Sequence, residues 1–283
     1  MANRMDDHFA SLRERGEGAL IPLVPGDHPP FRTSLEILEM MVEAGSDMVE
    51  IAIPTRYPWM EGKAMQIHQL EAIQQGVRSS DSLALMQAAR QKYPALPLIA
   101  INFMGPVFGM GQEAYVRACA DAGIECVDIP DYPLAGSEDV LGFVGALREQ
   151  DIHFTVDITT DEAVAPEGTR EYALLRESVK RSSGFLFMIA QPGGVSGTKP
   201  TLPVDKLAPA VARVRALEAE LQVETPIIVV CGISTPEQVR GSIREVGADG
   251  VMLGSAISKR LQAGENLEQI QPFLAELKQA TMA

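Results

Sequence analysis

Two acidic side chains in residues 48–62 have the positions that proton-transfer chemistry requires. Glu50 interrupts an apolar run, residues 48–53, that predicts a buried strand. Glu61 follows at the end of a proline-containing loop. A carboxylate inside an apolar strand is costly unless it is ion-paired or serves as an acid or base. Glu50 is therefore either an ion-paired core residue or a catalytic one, and residue type alone does not decide between them.

The elements around this stretch alternate between apolar runs of strand length and segments with helical spacing. A short leading helix, residues 5–15, precedes the first strand, residues 19–24, and roughly eight strand–helix units are predicted in all. The strands are almost continuously apolar, which is typical of a parallel sheet covered on both faces. We therefore predict one α/β domain, a (β/α)8 (TIM) barrel over residues 1–283, with a doubly wound open sheet as the alternative.

The composition argues against several classes of protein. The formal net charge is -14, from 38 acidic and 24 basic residues without any Lys/Arg run, so no nucleic-acid partner is expected. The three cysteines lie far apart without metal-ligand spacing, which predicts no metal site and suggests a reducing compartment. The chain contains no run of eighteen apolar residues and no apolar N-terminal segment. We expect no membrane association and a cytoplasmic location.

Three glycine-containing turns follow the late predicted strands, each where a helix is predicted to begin. In a barrel of this kind the loops after the strands carry the active site, and the late loops often bind phosphate. Backbone N–H groups at a helix start favour an anion, and small residues let it approach closely. We predict that Gly197, Gly232, Gly254 and Ser255 bind a phosphate group. A single turn of this type, taken alone, would signify only a change of chain direction.

Together, these residues resemble the alpha subunit of tryptophan synthase over almost the whole chain. The match includes Glu50, the glycine loop around Gly197 and residues 254–257, and is most specific in the Gly-Ile-Ser-Thr-Pro-Glu-Gln-Val run at 232–239. That family is a lyase that cleaves indole-3-glycerol phosphate into indole and glyceraldehyde 3-phosphate. The resemblance implies that Glu50 acts as general acid and base, that Glu61 takes the indole N–H proton, and that no cofactor is needed.

The residues expected around the indole ring differ from those of the family. Leu23, Met188 and Pro130 stand where the family has phenylalanine, tyrosine and alanine, whereas Phe103 replaces an aromatic conservatively. Pro192 stands in the glycine loop in place of an arginine. The resemblance thus implies a substrate pocket lined by Leu23, Phe103, Pro130 and Met188, with the phosphate half of the site retained and the ring half altered.

The loop after the second strand is altered as well. Glu61 is one methylene longer than the family's aspartate, and displacement of a catalytic group lowers the rate. Arg56 and Tyr57 replace a serine–aspartate pair whose aspartate communicates with the beta subunit. We expect a phosphorylated substrate and a weakened or absent beta-subunit contact. Two alternatives remain open: a diverged paralogue that cleaves another glycerol phosphate, and a catalytically weak barrel that acts as a binding or activating subunit.

Overall fold

The leading helix closes one end of a barrel. The computed structural model describes residues 3–24, 31–132, 139, 141–190 and 202–282. Helix α1 (Arg4–Arg15) begins at Asn3, whose side chain accepts a hydrogen bond from the Met5 N–H at 3.0 Å. Its buried face packs against the side chains that fill the barrel, and the rings of Phe9 and Phe185 lie 6.4 Å apart. Burial of this face fixes the helix on the barrel.

The sheet is made of short parallel strands. They are β1 (Ala19–Val24), β2 (Val49–Ala52), β3 (Leu98–Ile101), β4 (Cys126–Asp128), β5 (His153–Thr155), β6 (Asp157–Thr159), β7 (Leu186–Ile189), β8 (Ile227–Val230) and β9 (Gly250–Leu253). Their order is β5-β4-β3-β2-β1-β9-β8-β7-β6. Only Val156 separates β5 from β6, so the two ends of this order form one extended segment. The sheet is therefore a barrel with eight strand positions, and the predicted (β/α)8 fold is confirmed.

Helices surround the strands. After α1 they are α2 (Phe31–Glu43), α3 (Lys63–Gln74), α4 (Ser79–Lys92), α5 (Met104–Met110), α6 (Gln112–Asp121), α7 (Phe143–Glu149), α8 (Thr160–Ala163), α9 (Arg170–Arg181), α10 (Val204–Leu221), α11 (Pro236–Arg244), α12 (Ser255–Gln262) and α13 (Leu267–Thr281). The strand residues alternate between two buried clusters, one against the helices and one inside the barrel. Because successive strand side chains point to opposite faces, this alternation decides which residues can reach the barrel interior.

Two helices lie where the sequence predicted none. Helix α8 follows β6 within a polar segment, residues 159–168, that contains proline and glycine, and the mutual hydrogen bonds of Thr159 and Glu162 cap it. Helix α5 lies between β3 and α6, with Pro106 in its first turn, where a missing N–H costs no hydrogen bond. The last two helices, α12 and α13, are separated at Gly264, whose φ of 83° is left-handed.

Candidate active site

A cavity opens at the carboxyl ends of the strands, where barrel enzymes carry their active sites. It contains about 650 Å³ of empty space, counted with its opening to solvent, which is the size of a small-molecule site. Most of its wall is apolar, and polar groups converge on it from separate loops. The described residues that line it are Leu23, Met60, Glu61, Met65, Ile101, Phe103, Asp128, Pro130, Asp157, Phe187, Ile189, Val230, Cys231, Gly232, Ile233, Met252, Leu253, Gly254 and Ser255.

Glu50 points into the barrel beside this cavity. It pairs in register with Leu23 of β1, which lines the cavity, and its inward-facing neighbour Ala52 belongs to the interior cluster. The side chain is fully buried, and neither carboxylate oxygen has a hydrogen-bond partner among the described residues. Burial, followed by repulsion from Glu61 and Asp157, raises the Glu50 pKa well above its ordinary value. The ion-paired alternative for Glu50 therefore lacks a cation in the described part of the structure.

Glu61 lies on the loop between β2 and α3, and its side chain lines the cavity. The loop is fixed locally: the Glu61 N–H donates to the Pro58 carbonyl at 3.0 Å, and Gln66 donates to the Glu61 carbonyl at 2.8 Å. Burial, followed by the negative charge of Asp157, raises the Glu61 pKa to about 7. A carboxyl with this pKa exchanges a proton readily near neutral pH. The structure thus places both predicted acids at one site.

Two further acids, Asp128 at the end of β4 and Asp157 at the start of β6, line the same cavity. Sequence reasoning did not single them out, although each interrupts an apolar run as Glu50 does. Asp128 is 3% exposed, and burial, then the charge of Asp157, raises its pKa well above the ordinary value. Burial and then Glu162 raise the Asp157 pKa to about 7. Three carboxyl groups therefore line one cavity, with Glu50 beside it, and a charge on one of these four acids disfavours ionisation of its neighbours.

The predicted phosphate residues lie on neighbouring strand ends. Gly232 follows β8, and Gly254 and Ser255 follow β9 at the start of α12; all three line the cavity. The side chain of Gln238 accepts hydrogen bonds from the N–H groups of Ser234 and Thr235. These two N–H groups at the start of α11 are therefore already hydrogen-bonded within the protein. The start of α12 carries no such side-chain cap. Gly197 lies outside the described residues.

The expected ring positions divide into two groups. Leu23, Phe103 and Pro130 line the cavity. Met188 does not: it belongs to the cluster between strands and helices, because its neighbours Phe187 and Ile189 occupy the inward positions of β7. The expectation that Met188 lines the pocket is therefore corrected, and Phe187 and Ile189 line it on that side. A shift of one residue along a strand moves a side chain from the barrel interior to the face that packs against the helices. The resemblance to the family did not fix the position along β7 to within one residue.

The described residues contain no group of three or more His, Cys, Asp or Glu side chains arranged to hold a metal ion. Within the same residues, no helix combines the length and apolar character that crossing a bilayer requires.

A (β/α)8 barrel that holds acids in a largely apolar cavity at its strand ends, beside small residues at a helix start, has the features of an acid–base enzyme. The model of the family "Tryptophan synthase alpha chain" matches residues 9–282, and the chain belongs to this family, as a carbon–carbon lyase of the tryptophan synthase alpha type.

Individual relatives agree over nearly the full length. The tryptophan synthase alpha chain of Synechocystis sp. is 33% identical over 279 residues, covering 96% of this chain and 97% of that protein. That of Citrifermentans bemidjiense is 31% identical, covering 99% and 98%. Among solved structures, Mycobacterium tuberculosis tryptophan synthase superposes with a TM-score of 0.83 over 100% of both chains at 24% identity, which bears on the fold.

Proposed function

We propose that this chain cleaves indole-3-glycerol phosphate, or a close analogue, into the free ring and glyceraldehyde 3-phosphate, with Glu50 and Glu61 as the catalytic acids. The observation that carries the proposal is Glu50: a fully buried carboxyl beside the cavity, without a hydrogen-bond partner among the described residues and near enough to Glu61 for its charge to be felt. Such a group is poised to hold a proton until a substrate accepts it.

The two acids have complementary tasks in this reaction. Protonated Glu50 delivers its proton to C3 of the ring, while ionised Glu61 takes the ring N–H proton. The bond between C3 and the glycerol carbon then breaks, and its electron pair moves into the ring, which recovers a proton on nitrogen from Glu61. The glycerol hydroxyl gives its proton to Glu50 and becomes the aldehyde carbonyl. Both acids return to their starting states, so atoms and charge balance.

The pKa values support these tasks. Burial, followed by repulsion from Glu61 and Asp157, raises the Glu50 pKa well above normal and so favours its protonated form, which is the form an initial acid needs. Because the Glu61 pKa is about 7, a large fraction is ionised and can accept the N–H proton. We assign the phosphate to Gly232, Gly254 and Ser255, where helix α12 begins and its N–H groups favour an anion.

The Glu50→Gln variant tests the proposal because it keeps the shape of the side chain and removes proton transfer. Indole release from indole-3-glycerol phosphate is expected to fall by about 10²–10⁴-fold. Glu149→Gln, which changes an exposed residue at the end of α7, is the matched control. Circular dichroism should show both variants folded. Nearly full activity in Glu50→Gln would make Glu50 structural and overturn the proposal.

A beta subunit is the normal partner of this family. We propose that the contact is weak or absent here. Tyr57 and Trp59 on the β2–α3 loop are 77% and 64% exposed, so this loop presents bulky rings rather than a carboxylate at Tyr57. A cation on a beta subunit that pairs with an acid at the position of Tyr57 would be buried here without a counter-charge, and this lowers the affinity of the complex.

A further inference from the structure

The proposed reaction requires two carboxyl groups, but four lie in or beside the cavity. Asp128 and Asp157 take no part in the proton transfers assigned to Glu50 and Glu61, yet both line the cavity. Each occupies an inward position of its strand, because the neighbours Val127 and Ile158 pack on the outer cluster instead. These two acids lie on adjacent strand positions of the barrel, and the proposed reaction gives them no role. Their presence in the cavity therefore indicates a second function of the site.

Asp128 is an unsatisfied group at this cavity. Only 3% of its surface is exposed, and its Oδ1 has no hydrogen-bond partner among the described residues. No Lys, Arg or His is among the described residues that line the cavity, so they provide no counter-charge for either acid. A buried carboxylate without a partner is strongly unfavourable, and proteins retain such groups where a ligand supplies the partner.

The strand order places these acids at the far end of the cavity from the phosphate residues. Around the barrel, β4 with Asp128 lies four positions from β9 in either direction, so the two strands face each other. Gly254 and Ser255 directly follow β9. A glycerol phosphate anchored at the start of α12 and extended across the barrel therefore directs its leaving group towards Asp128 and its neighbour Asp157.

We infer that Asp128 and Asp157 bind a primary amine carried on the aromatic leaving group, so that the substrate class is an amino-substituted aryl glycerol phosphate. The inference rests on the proposed function, since it concerns the leaving-group end of the same site. An amine or ammonium group donates the hydrogen bond that Asp128 Oδ1 lacks and has a further N–H for the Asp157 carboxyl at the same cavity, whereas plain indole has only its ring N–H, which Glu61 takes. A site built to bond a polar group discriminates strongly against a ligand without it.

Amino-substituted indoles and size-matched methylindoles, compared at each ring position in turn, test the inference. Their binding to the full chain is measured by calorimetry in the presence of glycerol phosphate. At the best ring position the amino compound is expected to bind about 10–100-fold more tightly than its methyl counterpart, as a charge-assisted hydrogen bond provides. An absence of any amino preference at every ring position would overturn the inference.

Variants then identify the acids responsible. Asp128→Asn and Asp157→Asn keep the side-chain shape and should reduce the amino preference by about tenfold. Asp157→Val, which suits a strand, should abolish it and favour the methyl compounds. Asp161→Asn, exposed on α8, is the matched control and should leave the preference unchanged. An amino preference that survives in all the variants of Asp128 and Asp157 would remove these acids from the site.

Cleavage assays on the same samples separate this inference from the proposed function. Cleavage of indole-3-glycerol phosphate without an amino preference would overturn the inference and leave the function standing. An amino preference dependent on Asp128 and Asp157, without cleavage of any glycerol phosphate offered, would support the binding site and overturn the proposed lyase mechanism.

Discussion

Replacing Asp157 with asparagine should stabilise the fold at high pH and leave it unchanged at low pH. Burial and the Glu162 charge raise the Asp157 pKa from 3.8 to about 7, so the folded state favours the neutral acid. A raised pKa gives stability that is fully present below the unfolded value and is lost as pH rises through the folded value. Asparagine remains neutral throughout and avoids this loss.

The size of the effect follows from the two pKa values. A difference of about three units, at 1.36 kcal/mol each, sets an upper limit of about 4 kcal/mol above pH 7. Asp157 is partly exposed, so solvent screening reduces this to about 1–2 kcal/mol. For a chain of this size, the corresponding increase in melting temperature is about 2–8 °C. The acids that share its field are Glu50, Glu61, Asp128 and Glu162.

Thermal unfolding at about pH 3 and about pH 8 measures the difference, because these values lie below the unfolded pKa of 3.8 and above the folded pKa of about 7. Asp121→Asn, an exposed carboxyl at the end of α6, controls for the loss of one negative charge. Equal melting temperatures of wild type and Asp157→Asn at about pH 8, with the two also equal at about pH 3, would refute the reasoning. So would a destabilised variant at the higher pH.

Four further predictions concern activity and binding. Glu61→Gln should remove indole release, whereas Glu61→Asp should raise it by restoring the family's shorter side chain; an unchanged rate in Glu61→Gln would exclude Glu61 from the mechanism. Glycerol phosphate should shift the amide resonances of Gly232, Gly254 and Ser255, and unmoved resonances would contradict the phosphate assignment. Wild-type turnover of indole-3-glycerol phosphate should lie well below that of a family member assayed alongside, and equal turnover would contradict the altered ring pocket. Sedimentation with a beta subunit from the same source should show weak or no association, and a tight, mutually activating complex would contradict the role given to Tyr57.

The sequence determined the fold and two of the cavity acids. Alternating apolar runs and helical spacing specify a barrel because each period fixes which face of an element is buried. Glu50 was evident for the same reason, since one charge in an apolar run is conspicuous. The capped helix α8 was missed because its four residues are too few to show a period.

The tertiary structure decided which side chains meet. Whether Met188 or its neighbours face the cavity depends on a shift of one residue along β7, and the burial pattern settles it in favour of Phe187 and Ile189. Asp128 and Asp157 are distant from Glu50 in the chain, and only closure of the barrel brings them to one cavity. Burial, followed by repulsion from neighbouring acids, then raises their pKa values, and this burial is a property of the assembled site that no local stretch of sequence contains.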